Sequence, residues 1–146
     1  MLREGWIQPL IALFGVDTCI CRQNTCRLDT SALITKIDAS YLIHPDEQSM
    51  LDWLVSFGPV NIAITVPPEL LNYVSGVYSP SDYDCKYRSV GGHSLIIVGY
   101  GTSDEGEKYW IVKNSWGPTW GINGYLLFER GVNACGIEDE PIGVLA

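Results

Sequence analysis

Positive charge is the scarcest property of this chain. Nine lysines and arginines stand against seventeen aspartates and glutamates among 146 residues, a formal net charge of −8. A surface that tracks nucleic-acid phosphates needs the opposite sign, so no nucleic-acid partner is expected. Long apolar runs are missing as well. Nothing reaches the ~20 residues of a membrane-spanning helix, and no membrane span is expected. The stretch Trp6 to Val16 has the length of a signal-peptide core, but Gln8 and Pro9 interrupt it and no clear small-x-small cleavage site follows. It reads as a buried or replacement segment before it reads as a secretory signal. Internal repeats and low-complexity tracts are also lacking. What is present is a globular composition, 47% hydrophobic with eight tyrosines and five tryptophans, enough for one domain with its own core.

Along the chain the character changes once. Residues 1–25 carry Cys19 and Cys21, run up to Cys26 and hold no periodicity, so they are expected to form an irregular arm ahead of a domain covering 26–146. From Pro45 the pattern is regular. Pro45-Asp46-Glu47 supplies a helix start, Met50, Trp53, Leu54 and Phe57 fall on one face, and Gly58-Pro59 stops it. Val60 to Val66 alternates at the strand period until Pro67-Pro68. Ser94 to Tyr100, Lys108 to Lys113 and Tyr125 to Glu129 predict further strands, separated by glycine-rich turns. One helix followed by four or more strands points to an α+β domain with an antiparallel barrel or sandwich.

Only two histidines are available for acid-base work near neutral pH. His44 precedes the helix, where a boundary or surface role suffices. His93 follows Gly91-Gly92, which leaves space beside the ring, and opens the apolar strand Ser94-Leu95-Ile96-Ile97-Val98. Asn114 ends the strand Tyr109 to Lys113 and is followed by Ser115-Trp116-Gly117. Such an asparagine can hold an imidazole in one tautomer while an indole excludes water. Each residue taken alone is equally at home as packing. Cys19, Cys21, Cys26 and His44 could form a zinc knuckle, but their spacing matches zinc sites poorly, and no metal or cofactor is expected.

Taken in order, Gly58-Pro59-Val60 with Ile62-Ala63-Ile64, Gly92-His93-Ser94 with Val98-Gly99-Tyr100-Gly101, Tyr109-Trp110 with Lys113-Asn114-Ser115-Trp116-Gly117, Trp120-Gly121 with Gly124-Tyr125, and Cys135-Gly136-Ile137 resemble the C-terminal part of the papain family of cysteine peptidases. The resemblance implies that His93 is the catalytic histidine, that Asn114 orients it, and that Trp116 covers the pair. In the family a thiolate paired with the imidazolium attacks the peptide carbonyl, and the histidine then protonates the leaving amine. It implies a disulfide between Cys85 and Cys135, which would stabilise the fold by roughly 4 kcal/mol in the chain-entropy model. The ending Cys135-Gly136-Ile137-Glu138-Asp139-Glu140 is most similar to cathepsin B. Glu140 would then lie at the floor of the pocket that takes the residue before the cleavage-site residue, and Ala63 would help to line its wall. Gly92 and Trp116 complete the expected substrate-binding set. A solvated acidic tail remains the alternative for Glu138 to Glu140.

The resemblance stops short of the nucleophile. No Gln-x-x-x-x-x-Cys-Trp motif occurs, and Cys19, Cys21 and Cys26 stand far closer to His93 than the ~130 residues usual in this family. The expectation is a lobe bearing the histidine and asparagine, with the N-terminal helical lobe missing, Trp116 and Trp120 facing water unless the arm covers them, and no activity alone. The alternatives are one chain of a two-chain peptidase, and a non-catalytic module that binds a peptide or an inhibitor. Expected partners are a peptide or protein substrate, an inhibitor, and the missing helical lobe. The resemblance implies a lysosomal or secreted location.

Overall fold

The computed structural model describes residues 37–146. The arm, with the expectations placed on Cys19, Cys21 and Cys26, lies outside the described residues. The chain runs β1 (Ala39–Leu42), α1 (Glu47–Ser56), β2 (Val60–Thr65), a 3-10 turn (Pro68–Asn72), β3 (Val77–Tyr78), α2 (Asp82–Tyr87), β4 (Gly92–Thr102), β5 (Lys108–Lys113), β6 (Tyr125–Glu129), a second 3-10 turn (Ala134–Gly136) and β7 (Ile142–Leu145). The seven strands form one sheet in the order β1-β7-β2-β4-β5-β6-β3. All pairings are antiparallel except β3 with β6, which is parallel. This is the α+β lobe expected from the alternation, with one main helix.

The core follows from strand period. Val60, Ile62 and Ile64 of β2, Leu95 and Ile97 of β4, Trp110 and Val112 of β5, and Leu126 and Phe128 of β6 all point to one buried face. Met50 of α1 adds to this core, and the Trp53 indole lies flat against the β7 backbone at Gly143. A Cβ at Gly143 would fall 2.0 Å from Trp53 Cε2, so only glycine admits the indole there.

The helix starts one step later than Pro45 suggests. Asp46 is its N-cap, with Oδ1 accepting from the Ser49 N–H at 2.8 Å, and Pro45 stands just outside. The same end of α1 is tied to the sheet through Glu47, which pairs with the buried guanidinium of Arg130 and, at 3.4 Å, with Lys108. A disulfide between Cys85 on α2 and Cys135 on the second 3-10 turn joins those two elements, with Cα atoms 4.9 Å apart. No helix among the described residues is long and apolar enough to cross a membrane.

Candidate active site

Strand register brings the two central residues together. β4 pairs with β5 so that Ile96 faces Lys113 and Ile97 faces Val112. Asn114 directly follows this register at the end of β5, and His93 lies three residues before Ile96 on β4. His93 Nε2 is 2.9 Å from Asn114 Oδ1. Asn114 Oδ1 also accepts the Ser115 N–H at 2.7 Å. That second bond identifies the atom as the carbonyl oxygen, because a side-chain NH2 could not accept it. The partner nitrogen of His93 must therefore donate, and the neutral ring carries its proton on Nε2. Nδ1 makes no hydrogen bond among the described residues and is left as a bare lone pair on a half-buried ring. Such a nitrogen can take a proton from an acidic group brought against it and return it to a leaving group.

Asn114 is itself buried, 5% exposed, and its Nδ2 has no hydrogen-bond partner among the described residues. A buried amide left unmatched costs about 1–3 kcal/mol. That cost is at odds with a purely structural asparagine.

The turn from β5 to β6 folds the indole back over this pair. The Asn114 N–H donates to Gly124 O at 2.9 Å, and the Gly124 N–H to Trp120 O at 2.8 Å. Trp116 stacks on His93 with ring centroids 5.0 Å apart and planes 18° from parallel. Trp120 meets Trp116 edge to face at 5.0 Å. Both indoles are half-buried rather than turned to water, because Tyr73 packs on Trp120 at 5.6 Å and Leu71 O accepts its Nε1 at 3.1 Å. Burial raises the Tyr73 phenol above its ordinary range, only partly offset by the Leu127 N–H, so it remains a donor.

The other residues of the expected site lie on β2, at the start of β4 and before β7. Gly92 pairs with Thr65, and Ala63 with Ser94, so Ala63 is exposed on β2, one residue from the Ile64–His93 pair. Glu140 is exposed, two residues before β7, and carries no ion pair among the described residues. Its neighbour Glu138 is different in kind. At 6% exposure, its carboxylate accepts Trp110 Nε1 at 3.3 Å and the Gly131 N–H at 2.9 Å. Glu138 is thus a fixed part of the core and not tail. His44 is at the helix boundary, Nδ1 2.6 Å from Asp46 Oδ2, far from the glycine approach of β4 in sequence and setting. Among the described residues no group of three or more His, Cys, Asp or Glu is placed to hold a metal ion.

The chain is similar to known proteins. The family model described as papain family cysteine protease matches residues 15–145. The "Cathepsin B-like protease 1" of Arabidopsis thaliana is 40% identical over 109 residues, covering 73% of this chain and 27% of the relative. The "Cathepsin B-like CP1" of Giardia intestinalis is 50% identical over 96 residues, covering 66% of this chain and 31% of the relative. The "Pro-cathepsin H" of Bos taurus is 37% identical over 128 residues, covering 86% of this chain and 38% of the relative. Among solved structures, the digestive procathepsin L 3 of the Tenebrio molitor larval midgut superposes with a TM-score of 0.73 at 33% identity, over 86% of this chain and 40% of its own. The proCathepsin B S9 of Trypanosoma congolense gives 0.66 at 36% identity, over 74% and 35%. The chain thus spans only about a third of the length of the curated relatives it matches.

Proposed function

The chain belongs to the papain family of cysteine proteases, and on that premise we propose that it is the lobe supplying the proton-transfer half of a peptide-cleaving site. The observation that carries this reading is the bond from His93 Nε2 to Asn114 Oδ1, with the Ser115 N–H on the same oxygen. It leaves Nδ1 as the atom that meets the nucleophile. A cysteine thiol brought against Nδ1 passes its proton to the ring, giving a thiolate and an imidazolium whose charges stabilise each other. The thiolate attacks the scissile carbonyl. Nδ1–H then protonates the leaving amine, and the acyl-enzyme is hydrolysed by water that His93 deprotonates. Asn114 keeps the ring in one tautomer throughout, while the stacked Trp116 keeps water from their hydrogen bond.

The sequence of these 146 residues holds no Gln-x-x-x-x-x-Cys-Trp segment. The nucleophile is therefore brought to His93 by a helical lobe from outside them, either in the same polypeptide or as a separate chain, and the lobe is inactive without it. Glu140 and Ala63 form part of the pocket beside His93, where the exposed carboxylate favours an arginine of the substrate. The lysosome or the secretory route suits a protein that keeps the Cys85–Cys135 disulfide.

The test uses a fluorogenic peptide with arginine ahead of the cleavage-site residue and an epoxide that traps reactive thiols. The chain alone is expected to be inert, and hydrolysis to appear when a papain-type helical lobe is added, then to be blocked by the epoxide. Prompt hydrolysis by the chain alone would sink the inactive-alone reading. No hydrolysis after stable association with such a lobe would sink the peptidase reading.

A further inference from the structure

A line of rings runs from the imidazole into the core. Trp116 stacks on His93, Trp120 meets Trp116 edge-on, and Tyr73 packs on Trp120 at 5.6 Å, with Tyr78 6.0 Å beyond. The members are held very differently. Trp116 makes no side-chain hydrogen bond among the described residues, so its plane is set by the rings on either side, His93 and Trp120. Trp120 is anchored at one point, Nε1 to Leu71 O at 3.1 Å. Tyr73 is anchored at two. Its hydroxyl donates to Gly76 O at 2.7 Å and accepts the Leu127 N–H of β6 at 3.2 Å. The chain also makes room for its ring. Gly121 has φ +56°, and a Cβ there would fall 2.5 Å from Tyr125 O and 3.1 Å from Tyr73 Cδ1. The phenol thus occupies space that a side chain beside Trp120 would otherwise take.

We propose that Tyr73 is a positioning residue for His93: clamped between the loop at Gly76 and the strand at Leu127, it fixes Trp120, which sets the plane of Trp116 and hence the tilt of the imidazole. The bond to Asn114 holds one nitrogen of that ring but leaves rotation about the Nε2–Oδ1 line free, and the stacked indole removes this freedom. The consequence for proton transfer rests on the peptidase reading; the positioning itself does not.

The test is NMR of the ring protons of the two histidines in the full chain, with the exposed His44 as internal reference. The stacked indole shifts the His93 ring protons upfield of those of His44. Tyr73→Phe keeps the ring but deletes both anchoring bonds, and it is expected to reduce that upfield shift by about half or more. Trp120→Phe is expected to do the same, while the ring-proton shifts of His44 stay unchanged in both variants. Thermal unfolding of the same samples separates positioning from packing. A Tyr73→Phe protein that melts earlier yet keeps the wild-type His93 ring-proton shift would overturn the proposal. If Tyr73→Phe does not fold, Trp120→Phe is judged by the same criterion. A Trp116→Ala variant with an unchanged His93 shift would overturn it too, because the stack would then not exist. Reduced shifts in variants of a protein that no helical lobe can activate would support the positioning while removing the peptidase reading.

Discussion

At the scale of single residues, the oxygen of Asn114 accepts two hydrogen bonds while its nitrogen makes none among the described residues, and this asymmetry fixes the tautomer of His93. The expected outcome is that 15N NMR of the neutral ring shows the proton on Nε2 and a bare Nδ1, and that Asn114→Ala gives a mixture of tautomers. Glu140 carries a separate expectation. If its exposed carboxylate receives a substrate arginine, Glu140→Gln lowers kcat/KM for the arginine peptide roughly tenfold or more in the complemented enzyme, leaving a phenylalanine peptide within about twofold. His93, Asn114 and Trp116 could be singled out in the sequence only through the order of the five motifs, since each taken alone reads as packing. Glu138 could not be told from Glu140 in the same way. Nothing in Glu138-Asp139-Glu140 says which carboxylate turns inward. That is decided by the 3-10 turn at Ala134–Gly136, where Asn133 and Cys135 adopt φ near +50°, a left-handed conformation rare outside glycine. Tyr73 escaped notice for a similar reason, since its partners Gly76, Trp120 and Leu127 converge only in the fold.

Elements with a clear period were readable and short ones were not. Helix α1 and strands β2, β4, β5 and β6 fall close to where the apolar spacing puts them, although β4 begins at Gly92 and runs to Thr102, beyond the apolar stretch, because its ends pair with polar partners. Strand β3 has two residues and α2 six, too few for any periodicity to register. α2 is instead defined by its Ser81 cap, which accepts the Asp84 N–H, and by the disulfide at Cys85. The cap of α1 makes its stability depend on pH. The Ser49 N–H, then the Ser49 hydroxyl, hold the Asp46 carboxyl down at about 2, from 3.8. A depressed folded value means that the stabilisation is fully present above about pH 4 and is lost as the pH falls through about 2. Asp46→Ala is therefore expected to lower the melting temperature at pH 6 and to lose the part of the acid destabilisation that falls between pH 4 and 2. Parallel melting curves of the two proteins across that range check this, and identical curves would contradict it.

For the molecule as a whole, the Cys85–Cys135 link ties α2 to the second 3-10 turn. The link closes a loop of 50 residues. Replacing both cysteines by serine is expected to cost about 4 kcal/mol in the chain-entropy model, on the order of 10 °C in melting temperature by calorimetry. The α+β class and the lobe's place in the papain fold were visible before any coordinates, because the five motifs occur in one order. The half-buried packing of Trp116 and Trp120 was not, since it depends on Tyr73 and Leu71 from another part of the chain. The central claim of the proposed function is that His93 serves a thiolate carried by a helical lobe from outside these 146 residues. The most direct measurement is kcat/KM for the arginine peptide after adding the helical lobe to the wild-type chain and to His93→Ala in parallel. Restored hydrolysis that drops at least ~100-fold in His93→Ala is the predicted result. Equal rates from the two proteins would contradict it.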